Sequence, residues 1–132
     1  MGLIVDTDVW VLIEKGLIEL DWSRWANYGG AFISVISASE LLAGVERANT
    51  PLRQAKRSAF VENLLTMIPI LELSLPIART HARIVSALPK NITAGARDSL
   101  IAATAIYHGH TVLTRNVTDF KIFKGLEIEP LN

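Results

Sequence analysis

The chain has 132 residues, half of them hydrophobic, with Lys and Arg balancing Asp and Glu and no cysteine. That is enough for one domain over residues 1–132 with a substantial core, and too apolar for a disordered tail. Zero net charge excludes a basic field that would draw in nucleic acid as a whole, and the missing cysteines exclude disulfides and thiolate metal sites, which fits the cytoplasm.

No apolar run approaches the roughly 18 residues of a membrane helix, so no membrane role is expected. There is no basic leader, and the opening Met-Gly fails the myristoylation pattern because position 6 is Asp. The elements then alternate along the chain. Leu3 to Asp6 predicts a short buried strand, and Asp8 to Lys15 a helix stopped by Gly16. Leu17 to Tyr28 has helical tendency up to Gly29-Gly30, and Phe32 to Val35 is a second strand. Ser37-Ala-Ser-Glu40 matches the capping box and opens a helix to about Ala48. Pro51 is suited to open a helix reaching Met67, and Ile68 to Leu73 is a third strand that Pro69 places at an edge or a start.

Pro76 to Leu88 is helical, Pro89 to Gly95 a loop, and Ala96 to His108 an alanine-rich helix closed by Gly109. Thr111 to Thr114 is a fourth strand, Val117 to Phe123 a short helix and Leu126 to Ile128 a last strand. Strands alternating with helices predict a three-layer α/β/α fold on a short, mostly parallel sheet of four or five strands.

That order gathers the acids. In right-handed βαβ units helix N-termini share a sheet edge with strand C-termini, where open α/β folds place their sites. Asp6 ends the first strand, and Glu40 falls in the first turn of the helix after the second. Asp98 falls in the first turn of the helix before the fourth strand, and Asp119 a few residues beyond that strand. Each alone has a plainer reading: Glu40 as partner of Ser37, Asp98 as a helix cap, Asp119 as a turn residue. Asp8 reads best as the start of its helix. Asp6, set in apolar sequence, is the hardest to explain without a function.

Packed carboxylates repel, and unpaired ones take up protons. Helix N-termini relieve only about 0.3–1 kcal/mol each. With no His or Cys in the set, the donors are all oxygen, which suits Mg²⁺ or Mn²⁺ better than zinc and points to phosphate chemistry. Arg97, Arg115 and Lys121 lie near the acids in sequence and are candidates to steer phosphates, with plain surface charge as the competing reading.

Three stretches together, "LIVDTDVW", "SVISASELLAGV" and "ARDSLIAATAIYHGHTVLTRNVTDF", resemble PIN domains, specifically the VapC-type toxin ribonucleases of toxin–antitoxin pairs. The likeness covers nearly the whole chain, and its last stretch is the most specific. It implies a PIN-like fold and an Mg²⁺- or Mn²⁺-dependent hydrolase that cuts RNA. It implies Asp6, Glu40, Asp98 and Asp119 as metal-binding acids, with Thr114 and Asn116 as polar residues beside them. It also implies a homodimer held inactive by a VapB-like antitoxin whose C-terminal segment wraps it. Two features depart from the pattern: Asp8 stands where Asn or Ser is common, and the approach to Asp98 reads "KNITAGARD".

Other features have structural readings. Trp22, Trp25 and Tyr28 recur every three residues, as a core or interface stripe does. Leu41 to Leu65 is a candidate groove for an antitoxin helix. His108 and His110 read as helix-terminal residues, and His81 carries no role. Two other functions remain open from the sequence. A haloacid-dehalogenase-like phosphatase would use Asp6 as nucleophile, Asp8 as acid and Ser34 or Ser37 for phosphate, and a non-catalytic PIN-like module would bind RNA or protein.

Overall fold

Residue periodicity in the first strand sets the layering. In the computed structural model, which describes residues 1–132, β1 (Leu3–Val5) alternates its side chains across the sheet. Leu3 and Val5 join a core with Val9, Trp10, Ile33, Leu41, Val45, Val61 and Leu64, whereas Ile4 joins Ile77, Ile101, Ala102, Ala105, Val112 and Phe120 on the other face. Helices α1 (Thr7–Glu14), α2 (Val35–Glu46) and α3 (Pro51–Met67) cover the first face. Helices α4 (Leu75–Ser86), α5 (Ala96–His108) and α6 (Val117–Phe120) cover the second.

The sheet has five strands, all parallel, in the order β3-β2-β1-β4-β5. The others are β2 (Ala31–Ser34), β3 (Ile70–Leu71), β4 (Thr111–Thr114) and β5 (Glu127–Pro130). The chain winds outward from β1 through β2 to β3, then crosses back to β4 beside β1. The strand order therefore reverses between β1 and β4. A crevice opens outside the strand C-termini at such a reversal, and Asp6 and Thr114 are the residues that end those two strands.

Several boundaries differ from the sequence expectation. Helix α2 begins two residues before the expected capping box, and Ser34 caps it by accepting the Ile36 N–H at 3.1 Å. Ser37 is buried inside the helix, and Glu40 lies in the second turn, not the first. The pattern misled because Ser34 carries the same cap chemistry and sits directly at the strand end. The third strand shrinks to Ile70–Leu71, at the sheet edge as Pro69 required; the Pro69 carbonyl still accepts the Ile33 N–H.

Leu17 to Asp21 is irregular, and only Trp22–Tyr28 is helical, as a kinked 3₁₀ segment. In 3₁₀ geometry residues three apart eclipse. Trp25 is buried, and its indole N–H and the Tyr28 hydroxyl both donate to Glu129. Trp22 stays exposed against Trp10. His110 accepts the Gly2 N–H at its Nδ1 and stacks on Phe32, which explains it without a ligand.

The capping assignment has a direct check. Ser34→Ala should cost about 1 kcal/mol of stability in urea unfolding and expose the Ile36 amide to hydrogen exchange. Ser37→Ala should leave that amide protected; the reverse pattern would restore the capping box at Ser37.

Candidate active site at the acidic rim

Asp6 is the fixed point of the site. Its residue is fully buried, still extended at φ −63° and ψ 149°, and it is the N-cap position of α1 without a side-chain capping bond. Its carboxylate is instead held from two sides. Thr114, at the end of β4, donates its hydroxyl to Oδ2 at 2.9 Å, and Arg97 Nη2 donates to Oδ1 at 2.8 Å. The Thr114 oxygen also accepts the Asn116 N–H at 2.9 Å, so the turn after β4 locks the hydroxyl that locks Asp6.

Arg97 is the centre of the rim. Its Nε points at the Glu40 carboxylate, 2.7 and 2.8 Å from the two oxygens, its Nη1 donates to Asp98, and its Nη2 lies 3.8 Å from Asp8 as well as bonding Asp6. One planar fork thus joins carboxylates from the end of β1, the first turns of α1 and α5 and the second turn of α2, using the donor geometry that sets Arg apart from Lys. No other Lys or Arg comes within 4.0 Å of these acids. Four carboxylates around one guanidinium leave the group negative by three when all are ionised.

The neighbouring hydroxyls and amides align the rest. Thr7 donates its hydroxyl to Glu40 at 2.6 Å and stands 2.7 Å from the Ser37 hydroxyl. Asn116 donates its side-chain amide to Asp8 at 2.6 Å. Asp98, three residues into α5, shares its helix face with Ile101, Ala102 and Ala105, all buried, and this turns the carboxylate inward. Asp119 is exposed in the first turn of α6 and makes no contact with Arg97; it shares a shallow cleft with Asp98, Gly95 and Thr118.

The electrostatics follow from burial. Burial pushes the Asp6 carboxyl up from its ordinary 3.8, against the lowering pull of Arg97 and of the Thr114 hydroxyl. Asp98 is also raised, by burial first, with Asp119 and Asp8 adding to the effect and Arg97 opposing it. Burial pulls Arg97 down, but the Glu40 hydrogen bonds and the charges of Asp6, Glu40 and Asp98 outweigh it, so its value is raised.

Of the expected site residues, Asp6, Glu40, Asp98, Thr114 and Asn116 lie in one bonded cluster, and Asp119 flanks it. Asp8, expected only to start its helix, sits in the first turn of α1 and is also tied into the cluster through Asn116. Arg97 corrects a reading outright: neither a free phosphate-steering charge nor a surface residue, it is the half-buried hub. Thr7 is the site residue that the sequence reading does not single out; its place in Asp-Thr-Asp is the one available signal. Ser34 and Ser37 are both fully buried, one capping α2 and the other against Thr7, so neither is free for the phosphate that the phosphatase reading gave it. His108 joins no cluster of ligating side chains, and His81 meets only Ser99.

The donor set suits a hard divalent cation, since every ligating atom at the rim is a carboxylate, hydroxyl or amide oxygen. With Arg97 in the middle, however, no three acids converge as a cage.

A family model described as "PIN domain" matches residues 3–125. The chain is 44% identical over 129 residues to "Ribonuclease VapC1" of Rickettsia felis, covering 97% of this chain and 95% of that protein. It superposes with a TM-score of 0.86 and 27% identity on a chain of the DNA-bound VapBC from Salmonella typhimurium, over 100% of this chain and 99% of that one. A chain of VapBC-5 from Mycobacterium tuberculosis, described as a member of the VapBC family of toxin-antitoxin systems, shares the fold at TM-score 0.73 and 24% identity, with 98% of each chain covered.

The raised carboxyls make a pH prediction. Asp6 and Asp98 hold protons more tightly folded than at the ordinary 3.8, so the folded state carries the excess protons just above that pH. Their contribution to the stability of the metal-free protein is full below 3.8 and declines as pH rises through the raised values. The Tm of Asp6→Asn relative to the unsubstituted protein should therefore move in the variant's favour between about pH 4 and about pH 7. A flat or opposite difference in scanning calorimetry would remove the assignment.

Proposed function

The chain belongs to the PIN domain family, and we propose that it is a VapC-type endoribonuclease toxin that hydrolyses RNA phosphodiester bonds at the Asp6 rim and is neutralised by a small antitoxin. One observation carries the assignment of the site. Carboxylates from four separate elements meet at the reversal between β1 and β4, and the one guanidinium among them leaves the group strongly negative. Nothing in packing requires such an arrangement, because clustered like charges cost stability unless a cation is expected among them.

We assign Asp6, Glu40, Asp98 and Asp119 to holding a divalent cation, Mg²⁺ or Mn²⁺. When bound, such an ion would supply Lewis-acid stabilisation of phosphoryl oxygens and a more acidic water. The chain's own residues do the positioning. Thr114 and the Asn116 backbone fix the Asp6 carboxylate, Thr7 orients Glu40, and the Asn116 amide holds Asp8 at the edge. The buried floor of Asp6 keeps that carboxylate in a single place through the reaction. Arg115 and Lys121, both exposed and without a carboxylate partner, are the cations assigned to the RNA backbone.

The antitoxin and a second copy of the chain are the assigned partners. Leu17, Trp22, Leu52, Met67 and Leu75 are exposed, and Trp22 and Met67 of these stand at one hollow. An apolar hollow of about 620 Å³ is walled by Trp10, Ile13, Trp22, Phe60, Leu64 and Met67. It shares Phe60, Asn63 and Leu64 with the 41–65 segment, but its other walls come from α1, the end of α3, the 18–20 stretch, the 3₁₀ segment and β2, while Leu41 and Val45 are spent in the core. No helix is long and apolar enough to cross a membrane, and the cytoplasm is the compartment that fits an RNA substrate.

Asp98→Asn should fold, since its side chain is partly open, yet cut RNA about 10²–10³-fold more slowly at saturating Mg²⁺. Chelation should abolish cleavage by the unsubstituted protein, and added Mg²⁺ or Mn²⁺ should restore it. A folded Asp98→Asn protein of full activity would overturn the site, and activity that survives chelation would overturn the metal dependence.

A further inference from the structure

Arg97 stands where a cation bound to the rim would have to stand. Its fork uses Asp6 Oδ1, both oxygens of Glu40 and Asp98 Oδ1. Thr114 uses the other oxygen of Asp6. The guanidinium fills the space between these three carboxylates and brings positive charge there, so a divalent ion drawn to the same oxygens competes with it for place and is repelled by it.

The position of Arg97 makes exchange feasible. Its side chain is 29% exposed, and those of Asp8 and Glu40 are 40% and 38% exposed, while only Asp6 is wholly enclosed. The guanidinium therefore lies over the enclosed Asp6 carboxylate, between the more open Asp8 and Glu40, and itself reaches solvent. Arg97 is the second residue of α5, preceded by the exposed Gly95 and Ala96, and a Cβ built on Gly95 would meet nothing within 4 Å. With part of its side chain already at the surface, Arg97 has solvent on one side into which to rotate.

We propose that Arg97 is a counter-ion latch, which competes with the divalent cation for Asp6, Glu40 and Asp98 and must rotate out before the site is loaded. The proposal rests on the metal reading above and adds to it a closed state that the chain builds for itself. In the closed state the guanidinium neutralises part of the acidic rim and keeps the metal-free domain folded. In the open state the divalent ion takes over that neutralisation. Because only the fraction of molecules with Arg97 out is competent to bind, the apparent metal affinity carries a conformational penalty that removal of the guanidinium lifts.

The test is a titration of Mn²⁺ into the full chain, unsubstituted and as Arg97→Gln and Arg97→Lys, followed by calorimetry. Arg97→Gln should bind Mn²⁺ about tenfold more tightly, as expected if the open state is a minor one, with Arg97→Lys in between. The metal-free Arg97→Gln protein should melt lower than the unsubstituted chain and gain more Tm on adding Mn²⁺. NMR of the unsubstituted chain gives a readout that needs no variant to fold. The Arg97 Nε–H should be protected from exchange without metal and lose protection with the same midpoint as Mg²⁺ binding. Equal or weaker Mn²⁺ binding by a folded Arg97→Gln, or an Nε–H still protected at Mg²⁺ saturation, overturns the latch and leaves the metal reading standing. Absence of binding by all three proteins overturns the metal reading itself, and the latch with it.

Discussion

The contact between the Arg97 guanidinium and the carboxylates of Asp6, Glu40 and Asp98 is the constraint on which the acidic rim depends. It spans the first face of the sheet and the second, since Glu40 comes from α2 and Asp98 from α5. Without a cation at that point, the ends of both layers would repel one another across the strand termini. Arg97 succeeds because its planar fork offers separate N–H groups to separate carboxylates; a Lys ammonium in the same place would be a single point. Arg97 thus neutralises acids drawn from both layers with one side chain.

The sheet explains why the acids meet there at all. All five strands run parallel, so every strand C-terminus and every following helix N-terminus reaches the same edge. Strand order reverses between β1 and β4, the place where open α/β sheets part their covering helices, and Asp6 and Thr114 stand at the ends of those two strands. The alternation of β1 contributes as well. Leu3 and Val5 feed one core and Ile4 the other, and continuing that alternation directs Asp6 to the side covered by α5. Hydrophobic packing on both faces thus aims a charged residue that packing alone would reject.

Much of this was legible beforehand, for identifiable reasons. The strand-helix alternation was plain because the apolar runs are short and bounded by Gly, Pro and polar residues; α3 and α5 fall where Pro51 and Gly109 place their ends. Boundaries were misread where two residues offered the same chemistry, as Ser34 and Ser37 did for the α2 cap. The region from Leu17 to Tyr28 was misread because Trp22, Trp25 and Tyr28 mark a repeat of three, which a short 3₁₀ segment satisfies as well as a longer helix. Asp119 was placed on the rim by topology, yet a four-residue helix holds it at the flank, outside the bonded cluster.

The sequence by itself determined the fold class and the edge at which the acids gather, because both follow from element order and from the handedness of parallel crossovers. It also identified Asp6 as a residue needing a reason, since a carboxylate amid buried apolar side chains is costly wherever the chain folds. Only the tertiary structure decided which cation meets that carboxylate. Arg97 and Asp6 are separated by 91 positions, and nothing in the spacing of either shows that one side chain reaches the other. The direction of a long, flexible side chain is fixed by its partners across the fold, and those partners exist only once α2, α5 and β1 have packed.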